Sequence, residues 1–168
     1  MLIDRLMEHL KELDQQVDAL DANIKEWHRA SDVSRKLTVI PGIGPVTASA
    51  LIATIGDAKN FDNGRQLAAW LGLVPKQHSS GGKNVLLGIS KRGDTYLRTL
   101  LIHGARSVIS AAKRKKDKVE GWLSRLIERR NVNVAAVALA NKNARIIWAL
   151  LARDREFRAD DTSAAAAA

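Results

Sequence analysis

Ile3, Leu6, Leu10, Leu13, Val17, Leu20, Ile24 and Trp27 follow one another at spacings of 3, 4, 3, 4, 3, 4 and 3. Such a seam fits only an α-helix whose apolar stripe lies against another helix, because a period of 3.5 residues keeps one narrow face in register with a partner. No Gly or Pro interrupts residues 1–30. Asp4, Glu8, Glu12, Asp14, Asp18 and Asp21 make the polar face mostly acidic. A stripe this narrow is not satisfied alone, so residues 1–30 are expected to form a coiled coil, with self-association favoured over packing within the chain.

Residues 31–158 read as one helical domain, and the fold class expected is mainly α with at most a short strand or hairpin near 83–90. Val33, Leu37 and Ile40 mark a first helix, and Val46, Ala48, Leu51, Ile52 and Ile55 a second. Between them stands Ile40-Pro41-Gly42-Ile43-Gly44-Pro45. Residues 33–56 therefore resemble a helix-hairpin-helix, in which glycines such as Gly42 and Gly44 let backbone N–H groups face a phosphate without reading a base. A plain helical hairpin closed by glycine is the alternative. A third helix within 57–73 is expected to be capped by Asp62, with Leu67, Ala68, Trp70 and Leu71 inside.

Residues 75–106 are the richest in chemistry-bearing groups. His78-Ser79-Ser80-Gly81-Gly82-Lys83 reads as a polar turn, Val85-Leu86-Leu87 as one buried strand, and Asp94 as the N-cap of a helix carrying Leu97, Leu100, Leu101, Val108, Ile109 and Ala112. Asp117 and Asn133 are further candidate caps, the latter for a last helix over 133–153. Residues 159–168, ending in alanines, read as a disordered tail.

Charge narrows the partner. Residues 83–130 hold thirteen Lys or Arg against four acids, while 1–82 hold nine against ten and 131–168 five against four. The whole excess of +9 thus lies in one segment, which favours an anionic polymer. With no cysteine and four scattered histidines, a disulfide or a cysteine- or histidine-based metal site is not expected. No run of uninterrupted apolar residues reaches the ~18 of a membrane span, and a cytoplasmic location is expected.

Gly81-Gly82-Lys83 is not a phosphate loop, since Gln77 and Asn84 stand where that loop needs Gly and Ser or Thr. Serine is the remaining nucleophile. Ser79, Ser80 and Ser90 lie among Lys83, Lys91, Arg92, Arg98 and Arg106, cations able to offset charge on a phosphodiester. Such serines are otherwise plain turn residues.

Taken together, Ile40-Pro41-Gly42-Ile43-Gly44, the run from Gln66 to Pro75, Ser79-Ser80-Gly81-Gly82-Lys83, and the run from Gly88 to Asp94 with Tyr96-Leu97-Arg98 carry a likeness. Through them the chain resembles the C-terminal transposase domain of the insertion-sequence one-ten family, the serine-bearing, bridge-RNA-guided recombinases related to pilin-gene invertases. The resemblance implies a serine that attacks DNA and becomes joined to it. It falls on Ser80, directly before Gly81, with Ser79 the less favoured position. It also implies DNA as partner, a guide RNA in the full-length protein, and Mg2+ held by an N-terminal nuclease-like domain whose four metal-binding acids are absent here. The expectation is a fragment that binds DNA and leaves it uncut alone. The alternatives left open are a non-catalytic nucleic-acid-binding module and a truncated transposase remnant.

Overall fold

A computed structural model describes residues 1–80, 83–114, 121–153 and 157, with the backbone alone at 78–80, 83–84 and 86. Among these residues the fold is mainly α, with one two-stranded antiparallel sheet. The order is α1 (Leu2–Ala30), α2 (Asp32–Thr38), α3 (Pro45–Ile55), a 3-10 turn (Ala58–Asn60), α4 (Gly64–Trp70), β1 (Pro75–Ser80), β2 (Lys83–Ile89), α5 (Thr95–Arg114), α6 (Trp122–Arg129) and α7 (Val132–Arg153).

The core is organised around α7. This helix packs against α5, α4, α6, α2 and the 3-10 turn. Ala135, Ala136, Ala140 and Ala144 are fully buried, and such small side chains let neighbouring helices come close. Leu97, Leu101 and Ile109 of α5, Leu67 of α4 and Ile147 of α7 fill the space between them. Three side chains of α7 also hold loops by donating hydrogen bonds to carbonyls. Asn141 Nδ2 reaches Leu73 O at 3.2 Å, Asn143 Nδ2 reaches Pro41 O at 3.0 Å, and Trp148 Nε1 reaches Phe61 O at 2.9 Å. By length and composition alone α7 is long and apolar enough to cross a membrane, although Asn141, Lys142, Asn143 and Arg145 interrupt its apolar run. Most of that stretch, 61%, is buried inside the protein, as in the core helix of a helical domain.

By contrast, α1 has no buried residue. Ile3, Leu6, Leu10, Leu13, Val17 and Leu20 are all exposed, and the helix packs on α2 and α3. Ser31 ends α1 in an extended conformation (φ −96°, ψ 111°) and at once caps α2, its Oγ accepting from Ser34 N at 3.2 Å. His28 Nδ1 and the buried Ser34 Oγ are 2.8 Å apart across this elbow.

Several local expectations are corrected. The third helix is capped by Asn63, whose Oδ1 accepts from Arg65 N and Gln66 N, while Asp62 N–H donates to Gln66 Oε1. Asn131, not Asn133, caps α7, accepting from Asn133 N at 2.9 Å. Asp117 lies outside the described residues, and α6 starts beyond it, after Gly121. Val33 and Val46 are exposed rather than inside, and Trp70 is only partly covered, edge-on to Phe61. The strand at Val85 and Leu87 is real, but both side chains are about half exposed. Ser79 and Ser80 belong to its partner strand rather than to a turn. The alanine tail lies outside the described residues.

Candidate nucleic-acid interface

Between α2 and α3 the chain turns through Ile40 and Ile43, both buried, and presents Gly44 outward as the N-cap of α3. Pro45 occupies the first turn, where a missing N–H costs no hydrogen bond, and no side chain caps the helix. The two glycines therefore do different work. Gly44 has open space about it, whereas Gly42 (φ 88°) is pressed onto α5, where a methyl group added to it would lie 2.7 Å from Gly104 O. The reverse contact is tighter still: a methyl on Gly104 would lie 1.9 Å from Gly42 O. Gly42 is thus a packing glycine that fixes the turn against the core.

The hairpin starts at a stapled base. Ser90 N donates to Val74 O at 2.8 Å and Lys91 N to Gly72 O at 3.1 Å, and Lys91 takes the left-handed φ of 55° that this close approach imposes. From there β1 and β2 run out in antiparallel register, with Ser79 opposite Asn84 and Ser80 opposite Lys83. The side chains of Ser79, Ser80 and Lys83, and all of Gly81 and Gly82, lie outside the described residues.

The hairpin separates groups that adjacency in sequence had placed together. Lys91 and Arg92 stand at its base, and six strand residues, about 20 Å of backbone, separate that base from Lys83 and Ser80 at the other end. Arg98 is buried at 8% exposure. Its guanidinium donates to Leu71 O (3.2 Å), Gly93 O (3.5 Å), Asp94 O (3.4 Å) and Thr95 Oγ1 (3.1 Å). It closes the N-terminal end of α5 onto α4 and is not presented to a ligand. Arg106 is exposed but donates to Asn133 Oδ1 at 2.9 Å. Asp94 does cap α5 as its position suggests, accepting from Leu97 N at 2.7 Å.

The basic surface itself remains. Lys91, Arg92, Arg106, Lys113, Arg114, Arg125, Arg129 and Arg130 are all exposed. Among the described residues none of them forms an ion pair, and the pairs that occur lie in α1 and α2. No group of His, Cys, Asp and Glu able to hold a metal occurs among those residues. What the sequence reading missed lies on α7: Lys142, buried between Asn141 and Asn143. Three polar residues in the middle of an apolar helix were the available signal.

Comparison with known proteins identifies relatives of this chain. Residues 34–120 match the model of the transposase IS116/IS110/IS902 family. The chain is 52% identical over 157 residues to a probable family 20 transposase of Pseudomonas aeruginosa, covering 94% of this chain and 46% of that protein. It is 49% identical to the transposase for insertion sequence element IS1111A of Coxiella burnetii, over 94% of this chain and 43% of the relative. With the transposase for IS1328 of Yersinia enterocolitica it shares 39% identity, over 93% and 47%. The chain thus spans a little under half the length of these relatives. The family match covers the turn, the serine-bearing hairpin and α5 alike, and on that basis the chain belongs to the IS116/IS110/IS902 transposase family.

Proposed function

We propose that this chain is the DNA-binding C-terminal part of a transposase, in which Ser80 attacks a phosphodiester and becomes covalently joined to DNA. The observation that carries the DNA reading is the set of exposed cations between Lys91 and Arg130 with no acidic partner among the described residues. Phosphate backbones match such a surface, and the match is independent of base sequence. The uncapped start of α3 at Gly44 supports a helix-hairpin-helix role, since free N–H groups and the helix dipole both favour a phosphate there.

The serine assignment rests on the family and on Ser80 standing at the end of β1, ahead of two glycines. In the reaction the Ser80 oxygen bonds to phosphorus, the 3′- or 5′-oxygen of the broken strand leaves, and the serine proton passes to a base. Lys83, opposite Ser80 in register, is the nearest cation along the hairpin. Lys91, Arg92 and Arg106 serve the DNA path at the base instead. Magnesium, a guide RNA and the remaining catalytic groups belong to the other half of the full-length protein, and α1 brings copies together through its seam.

Two measurements test this reading. If residues 83–130 neutralise about five to eight phosphates, log affinity falls with log salt at a slope of about −5 to −7, and an affinity flat in salt would sink the DNA reading. In the full-length protein, Ser80→Ala should abolish recombination and its covalent adduct, with Ser79→Ala the milder change. Recombination lost only in Ser79→Ala moves the nucleophile by one residue. An adduct that survives the double substitution removes serine from the chemistry.

A further inference from the structure

A cleft of about 880 Å³ opens between the base of the hairpin and the α6–α7 corner. Leu87 and Ile89 of β2 form one side, and Val134 and Val137 of α7 with Trp122 of α6 form the other. Three cations line it, Lys91, Lys142 and Arg145, and no carboxylate does so among the described residues.

Lys142 is the unusual member. It is 6% exposed, and among the described residues its Nζ has no hydrogen-bond partner. The Trp122 ring faces it, 4.5 Å from Nζ to the centroid. Burial, and then the positive charge of Arg145, hold its pKa below the ordinary 10.5. A buried ammonium without an acceptor among the described residues destabilises the fold, and an apolar side chain of the same length would be more stable on this helix. An anion entering the cleft would supply the missing acceptor.

The chemistry of the walls says which anion. Inorganic phosphate would leave the aliphatic and indole surfaces uncovered. A nucleotide offers an anionic group for the cations and a flat aromatic ring for Trp122 and the aliphatic side chains, the pairing that single-strand binding sites use. The volume is within the usual range for small-molecule sites, about 300–1,000 Å³. We propose that this cleft takes up an unpaired nucleotide of a single strand, with its phosphate on Lys142, Arg145 and Lys91 and its base against Trp122. The proposal rests on the nucleic-acid reading above but names a site separate from the exposed basic surface. DNA and RNA present the same chemistry to it.

The test is fluorescence anisotropy of the chain and of Lys142→Met with three labelled probes: a single-stranded DNA hexamer, the RNA hexamer of the same sequence, and a DNA duplex. Losing a charge-assisted contact should weaken single-strand binding about tenfold or more. Duplex binding should change by less than about twofold, because the exposed cations are untouched. The melting temperature should rise, since the unpaired ammonium is gone; a merely structural lysine would lower it. Arg145→Gln should give the same separation of single strand from duplex and stands in should Lys142→Met fail to fold. Whichever hexamer binds the parent more tightly identifies the source of the strand. Unchanged single-strand binding in both variants, or an equal loss on all three probes, overturns the cleft assignment, while duplex binding by the parent still supports the DNA reading. A parent that binds none of the probes overturns the DNA reading itself. Dissociation of an oligomer by Lys142→Met, seen by light scattering, would mean that a second copy's acidic α1 fills the cleft, and would also overturn the proposal.

Discussion

Helices α1 and α7 are both long and both carry a continuous apolar pattern, yet one buries nothing and the other sits at the centre of the fold. The difference lies in the width and chemistry of the apolar face. The stripe of α1 is narrow and flanked by carboxylates, which suits one partner helix and no more. Around α7 the apolar residues go almost all the way round, and Asn141, Asn143 and Trp148 turn polar atoms to loops. A helix that must touch several elements at once needs both the wide face and the polar ties. A helix whose narrow stripe is left exposed needs neither.

The largest expected effect is on the core side of that contrast. Gly104→Val puts a side chain where even a methyl lies 1.9 Å from a backbone oxygen, so α5 must leave the turn that carries Gly42. A loss above about 4 kcal/mol, seen as a chain unfolded at room temperature by circular dichroism, is expected. Next comes a matched pair. Ile147→Ala in α7 should cost about 2–5 kcal/mol in chemical denaturation, whereas Leu13→Ala in α1 should leave the midpoint of the core transition within about 0.5 kcal/mol. Equal losses at the two positions would break the distinction between the helices.

A smaller effect sharpens the α7 side. Lys142 loses its proton more readily in the folded chain than in the unfolded one, so the unfolded state binds more protons over the interval between the two pKa values. Stability of the parent should therefore rise as pH climbs through that interval toward 10.5, and the advantage of Lys142→Met should shrink over the same range. Denaturation midpoints of the two proteins at neutral and alkaline pH measure this, and a constant difference would mean that the ammonium is not desolvated. Smallest in stability, though plain in mass, is Leu13→Lys with Leu20→Lys. The seam should then release its partner, giving a monomer by light scattering with the core transition shifted by less than about 1 kcal/mol. A parent chain that is already monomeric would remove the reason for the seam.

Local signals carried much of the fold. The helix of α1, the cap at Asp94 and the buried Leu67, Ala68 and Leu71 are written in short-range spacing, and they appear where the spacing places them. What escaped depends on distant partners. β1 reads Pro-Lys-Gln-His-Ser-Ser, without a β-branched or aromatic residue, and is extended because β2 pairs with it. Arg98 looks like every other arginine of the basic segment until the carbonyls of Leu71 and Gly93 are brought round it. Caps slipped by one or two positions because Asp62 and Asn63, or Asn131 and Asn133, are chemically equivalent candidates. Of the candidate site, the basic surface was legible as composition. The cleft at Lys142 was not, since its walls come from residues up to about 70 positions apart that only the packing of α7 unites.

The elbow at Ser31 has a mechanical consequence. Twenty-nine residues of α1 make a rod about 43 Å long, held at one end by a joint of a single residue. Because Ser31 ends one helix and opens the next, there is no slack to absorb a change of phase. Inserting one residue there would turn the rod by about 100° about its axis and swing the seam to another side. The direction in which the apolar stripe of α1 faces is therefore set at this joint, far from most of the stripe itself.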